Sequence, residues 1–101
     1  GRQVVFYDQL GCGNSDYPDD PALWSIDLFL EELATVRAAL GLDHIHLLGF
    51  SWGGTLALEY ALTQPPGPAS LILHSADAST PMAEVATQRV YDGLPAEVRE
   101  T

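Results

Sequence analysis

Residues 44–62 read HIHLLGFSWGGTLALEYAL and change period in their middle. From His44 to Leu48 the run fills with Ile and Leu, the composition of a short buried strand. From Gly53 or Gly54 to about Thr63 it reads as a helix. Between the two, Gly49-Phe50-Ser51-Trp52-Gly53 sets one serine between glycines. Ser51 is either a nucleophile or a polar residue closing a tight turn, and the flanking elements decide between them.

Upstream, Gln3 to Tyr7 (QVVFY) is a β-branched and aromatic run, and a buried strand is expected there. Asp8 to Pro21 follows, dense in Gly, Asn and Pro, and reads as an ordered loop. Ser25 is placed to cap a helix whose Ile26, Phe29, Leu30, Leu33, Val36 and Leu40 draw one apolar stripe. Asp27, Glu31 and Glu32 lie early in it and Arg37 late, the order the helix dipole favours, and Gly41 stands at the C′ position. Downstream, Gln64 to Pro68 cannot continue a helix, Ser70 to His74 (SLILH) is a third strand, and Met82 onward returns to helical spacing. Pro95 ends that helix and can open another at N1.

Strands alternating with helices of this length imply an α/β fold with a parallel sheet. Strands that are apolar without clean alternation imply burial on both faces. In such a sheet, ligands bind at the carboxyl ends of the strands, where Ser51 falls. A G-x-S-x-G turn between strand and helix forces its serine into a strained conformation with the hydroxyl projecting from the sheet. Gly49 and Gly53 are the elbow supports, removing β-carbons where strand and helix pass closely. The backbone N–H of Trp52 points where an oxyanion would form, and the helix start adds its positive end. This context reads Ser51 as a nucleophile.

A serine nucleophile needs a base, usually a histidine oriented by a carboxylate. His44 opens its strand at the opposite end of the sheet. His46 is mid-strand and is expected to pack in or against the core. His74 ends the third strand on the correct edge, yet in this kind of fold the acid and then the histidine come on later strands. Asp77 follows it and is too early for the same reason. The base and acid are therefore expected beyond Thr101. The chain opens at Gly1 on a strand-like run and stops inside a helix-like one, so an interior piece of a longer protein is expected.

Composition narrows the partners. Fourteen acidic residues stand against four arginines and no lysine, a net charge of −10, which argues against nucleic acid. No run reaches the roughly 20 apolar residues of a membrane span. The single Cys12 excludes an internal disulfide and fits a reducing compartment, hence a cytoplasmic expectation. Without a His or Lys beside it in the sequence, Cys12 reads as a small packed residue.

The segments YDQLGCGNSD (Tyr7 to Asp16), LLGFSWGGTLALEYAL (Leu47 to Leu62), QPPGPASLIL (Gln64 to Leu73) and STPMAEVATQRVYDGLPAEV (Ser79 to Val98) stand in this order along the chain. Together they resemble the proline iminopeptidase family of α/β hydrolases. The resemblance implies a partial α/β-hydrolase core over residues 1–80 and the beginning of a helical cap over 81–101. It implies a serine peptidase, with no cofactor or metal, that releases an N-terminal proline or other small residue from a peptide. Ser51 matches the family's nucleophile and Trp52 the residue giving one oxyanion N–H. Asp8, Gly11, Gly13 and Ser15 match its loop pattern, implying that they hold this loop near the oxyanion region. The second oxyanion donor, the Asp and the His of that pattern have no counterpart in this sequence. An esterase, amidase or lactonase on the same fold, and a non-catalytic module of that fold, are the alternatives. The expected partner is a small peptide, amide or ester substrate, with neither nucleic acid nor membrane.

Overall fold

The computed structural model describes residues 1–99. A single 3₁₀ turn (Pro21–Leu23) leads into α1 (Ile26–Ala39). Then come β1 (Ile45–Phe50), α2 (Trp52–Leu62), β2 (Pro68–His74), α3 (Thr80–Asp92) and α4 (Ala96–Arg99). The two strands pair in parallel, from Ile45 opposite Pro68 to Phe50 opposite His74, with an irregularity between Ile45 and His46. The α/β class expected from the alternation is what the chain adopts.

Helix α1 forms where its signals stand. The Leu28 N–H donates to the Ser25 hydroxyl at 3.3 Å, capping the first turn. At the other end Gly41 takes φ 62°, and the N–H groups of Gly41 and Leu42 reach back to Ala38 and Arg37 carbonyls at 3.2 and 2.9 Å. That is a Schellman closure, and it satisfies carbonyls the helix leaves open. Trp24 and Phe29, one residue before the cap and four into the helix, stack with ring centroids 6.4 Å apart. This hydrophobic staple sets the angle at which the chain enters α1.

Helix α2 lies on both strands, and α1 lies on α2. The buried core is Leu33 of α1 with Leu56, Ala57 and Tyr60 of α2. Gly49 turns toward α2, so Ile45 and Leu47 share that face while His46, Leu48 and Phe50 share the other. Arg37 ties the elements together at the amino end of the ladder. Its guanidinium donates to the carbonyls of Leu42, Asp43 and Pro66 and, at 2.7 Å, to the Tyr60 hydroxyl.

The structure departs from expectation in four places. Gln3 to Tyr7 is not a strand, because among the described residues no edge pairs with it, and Phe6 is 88% exposed. The sheet is covered on one face only: Leu48, Phe50 and Ile72 on the other remain exposed, since no described helix lies there. His46 is therefore not in a core; it is exposed, with Nδ1 2.8 Å from the Ser70 hydroxyl across the ladder. Cys12 is likewise exposed rather than packed. Pro95 stands one residue ahead of α4, its carbonyl accepting from Val98 and Arg99. The cap expectation over 81–101 takes in α3 and α4, and its last two residues lie outside the described ones.

Candidate active site

Ser51 sits between β1 and α2 at the carboxyl end of the ladder, with φ 52° and ψ −121°. A non-glycine residue in that region costs on the order of 1–3 kcal/mol and persists only where its surroundings over-determine it. The surroundings are visible. The Ser51 N–H extends the parallel ladder to the His74 carbonyl at 2.9 Å. Its carbonyl accepts from the N–H groups of Gly54 and Thr55 at 2.8 and 3.3 Å, so it opens α2. A serine at a helix N-cap usually turns its hydroxyl back onto the first turn. Here it makes no capping bond, and among the described residues the hydroxyl has no partner.

The close approach expected at the elbow is real at Gly49. A β-carbon there would fall on the Gly53 carbonyl oxygen and come within 2.6 Å of the Gly54 Cα. At Gly53 it would meet nothing within 4 Å, so the crowding assigned to Gly53 falls on Gly54, whose β-carbon would strike that of Ala76. The contact with Ala76 joins residues far apart in sequence, and only the GG doublet hinted at it. Trp52 is the first residue of α2, where a backbone N–H has no intrahelical carbonyl to meet. Trp52 is 48% exposed, and its indole packs edge-on against Phe29, centroids 6.2 Å apart.

The loop from Asp8 to Asp16 is ordered by its own hydrogen bonds. The Asp8 carboxylate accepts from the Asn14 N–H at 2.9 Å, and the Ser15 hydroxyl donates to the Asp8 carbonyl at 2.6 Å. Glu32 of α1 accepts the Leu10 N–H at 2.8 Å. Its other carboxylate oxygen and the Gln9 amide nitrogen are buried without hydrogen-bond partners. Burial, and secondarily the Glu32 charge, push the Tyr7 hydroxyl above its ordinary pKa. Gly11 lies against the Trp24 ring, 2.7 Å from where its β-carbon would stand. The loop thus contacts α1 through Glu32 and rests on Trp24, whose ring stacks on Phe29 beside Trp52.

Among the described residues no histidine ring makes a hydrogen bond with Ser51. His44 stands one residue ahead of β1 rather than opening it, and His46 is the second residue of the strand rather than mid-strand, so both lie at its amino end. His74 lies beside the elbow through its carbonyl, while its ring stacks on Phe50 at 5.1 Å and Nδ1 lies 3.2 Å from the Ser75 hydroxyl. Among the described residues no group of His, Cys, Asp and Glu could hold a metal ion, and no helix is long and apolar enough to cross a membrane.

A parallel ladder that ends in a sharply turned serine at the start of a helix is the arrangement of the α/β hydrolases. The chain belongs to the alpha/beta hydrolase fold family, whose description matches all of residues 1–101. It is 52% identical over 100 residues to a proline iminopeptidase of Heyndrickxia coagulans, covering 99% of this chain and 35% of that protein. It is 46% identical over 101 residues to one from Clostridium botulinum, with 99% and 34% covered. The crystal structure of a proline iminopeptidase from Mycobacterium smegmatis superposes with a TM-score of 0.82 at 44% identity, over 92% of this chain and 32% of that one. The chain spans about a third of the length of these relatives.

Proposed function

We propose that this chain is the nucleophile-bearing part of a serine hydrolase that removes an N-terminal proline, or another small residue, from peptides. The observation that carries the chemistry is Ser51 at positive φ with its hydroxyl free of the helix cap. The relatives support the substrate class, being proline iminopeptidases at about half identity along nearly the whole chain.

In this reading the Ser51 Oγ attacks the carbonyl of the terminal residue while a base takes its proton. The oxygen of the tetrahedral intermediate is met by the Trp52 N–H at the positive end of α2. Collapse expels the peptide amine, which takes up the proton, and leaves the terminal residue as an ester on Ser51. Water then cleaves the ester. The base, its acid partner and the second oxyanion donor come from outside residues 1–101. Residues 1–80 belong to the core, and residues 81–101, which hold α4 and all of α3 but Thr80, begin the cap. The enzyme acts in the cytoplasm on a small peptide, without a cofactor.

In the full-length protein a fluorophosphonate probe labels Ser51, and Ser51→Ala abolishes turnover by roughly 10⁶-fold, the scale for loss of a serine nucleophile. Labelling at another residue overturns the assignment. Comparison of prolyl, alanyl and simple ester substrates tests the substrate class. Preference for esters without need of a free amine would replace the peptidase reading with an esterase.

A further inference from the structure

Trp24, Phe29 and Trp52 form a row of rings that ends beside Ser51. The first pair is stacked at 27°, and the second meets edge to face at 80°. The row starts under the Asp8–Asp16 loop, where Gly11 rests on Trp24. One turn along α1 from Phe29, Glu32 holds the Leu10 N–H of the same loop. Phe29 therefore joins the loop and the start of α1 to the elbow.

We infer that Phe29 is a positioning residue for the oxyanion donor: it holds the Trp52 side chain and, through it, the peptide between Ser51 and Trp52. The inference rests on the serine-hydrolase reading above. Hydrogen bonds to His74, Gly54 and Thr55 hold the amide and carbonyl of Ser51. The direction of the Trp52 side chain is set by what its indole rests on. Trp52 is half exposed, and the ring contact of its indole among the described residues is Phe29. With Phe29 removed, the indole is free to swing, and the strained backbone beside it gains room to relax. A hydrogen bond weakens steeply as its donor turns out of line. The loss falls on the developing oxyanion, not on the bound substrate, so it appears in kcat rather than KM.

The test uses the full-length enzyme, with active sites counted by fluorophosphonate titration and stability followed by denaturant midpoint. Phe29→Ala lowers kcat per titrated site about tenfold, about 1.4 kcal/mol of barrier, with KM within about twofold. Phe29→Tyr, which keeps the ring edge, restores it. Should Phe29→Ala not fold, Phe29→Leu, which fills the space without a ring, shows the same split. Unchanged kcat per titrated site overturns the inference, as does a rise in KM with kcat intact. A wild-type enzyme that is not labelled at Ser51 overturns instead the reading on which it rests.

Discussion

The two ends of the β1–β2 ladder are built in opposite ways. At the amino end, Arg37 reaches from α1 to the carbonyls of Leu42, Asp43 and Pro66, and to the Tyr60 hydroxyl of α2. Its guanidinium also lies over the Tyr60 ring, 5.7 Å from the centroid. One side chain there satisfies four backbone or hydroxyl oxygens and joins both helices to the approach to β2. At the carboxyl end, Ser51 holds a disfavoured conformation, its hydroxyl has no partner among the described residues, and Trp52 beside it is half exposed. On the proposed function the carboxyl end is the reacting centre, and its strain and unsatisfied groups persist only where the rest of the structure outweighs them. The contrast teaches that one end supplies rigidity and the other uses it.

Removing the rigid end is the harshest test of this division. In the full-length protein Arg37→Ala strands several carbonyls at once, and each hydrogen bond to a charged donor contributes about 1.5–3 kcal/mol. The expected loss is about 3 kcal/mol in the denaturant midpoint analysis, with kcat per titrated active site unchanged. Arg37→Lys recovers little, because an ammonium lacks the planar fork that reaches oxygens on α2 and on both loops. A fall in kcat per site as large as the loss of stability would break the separation of the two ends.

At the strained end, Gly49→Ala couples both effects. The new β-carbon falls on the Gly53 carbonyl oxygen, so strand and helix must part. Overpacking of this kind costs about 1–3 kcal/mol. Because Ser51 lies two residues on, a shift on the order of 1 Å also costs about 10²-fold in kcat. Gly53→Ala is the matched control: its β-carbon meets open space among the described residues, so both losses are expected to be much smaller. Equal losses at Gly49 and Gly53 would show that something outside residues 1–99 crowds the second glycine.

What could be foreseen followed the range of the interactions. Helix α1 was legible from Ser25 through Phe29, Leu33 and Gly41 because caps and periodicity are local. The elbow was legible for the same reason, its glycines and serine lying within five residues. The strand expected at Gln3 to Tyr7 failed because composition supplies a tendency and a sheet edge must supply the partner. Arg37 was visible only as a charge suited to a helix end, since its acceptors at Tyr60 and Pro66 come 23 and 29 residues later. Phe29 counted as one member of an apolar stripe, and its place between Trp24 and Trp52 exists only once α1 lies on α2. Gly54 was passed over for Gly53 because the pattern G-x-S-x-G names the residue, while Ala76 chooses which glycine is crowded.

The smallest effect is also the one that isolates the strain itself. Ser51→Gly removes the β-carbon that makes φ 52° unfavourable, whereas Ser51→Ala keeps it. On the proposed mechanism both variants lose the hydroxyl and hence turnover, so activity cannot separate them. Stability can. Relief of about 1–3 kcal/mol of strain, less the roughly 0.5–1 kcal/mol that glycine costs in chain entropy, leaves Ser51→Gly more stable than Ser51→Ala by about 1 kcal/mol. Paired denaturation curves of the two full-length variants measure that difference directly. Equal midpoints, or a less stable glycine variant, would mean that the turn at Ser51 stores no strain and that the two ends of the ladder differ in exposure alone.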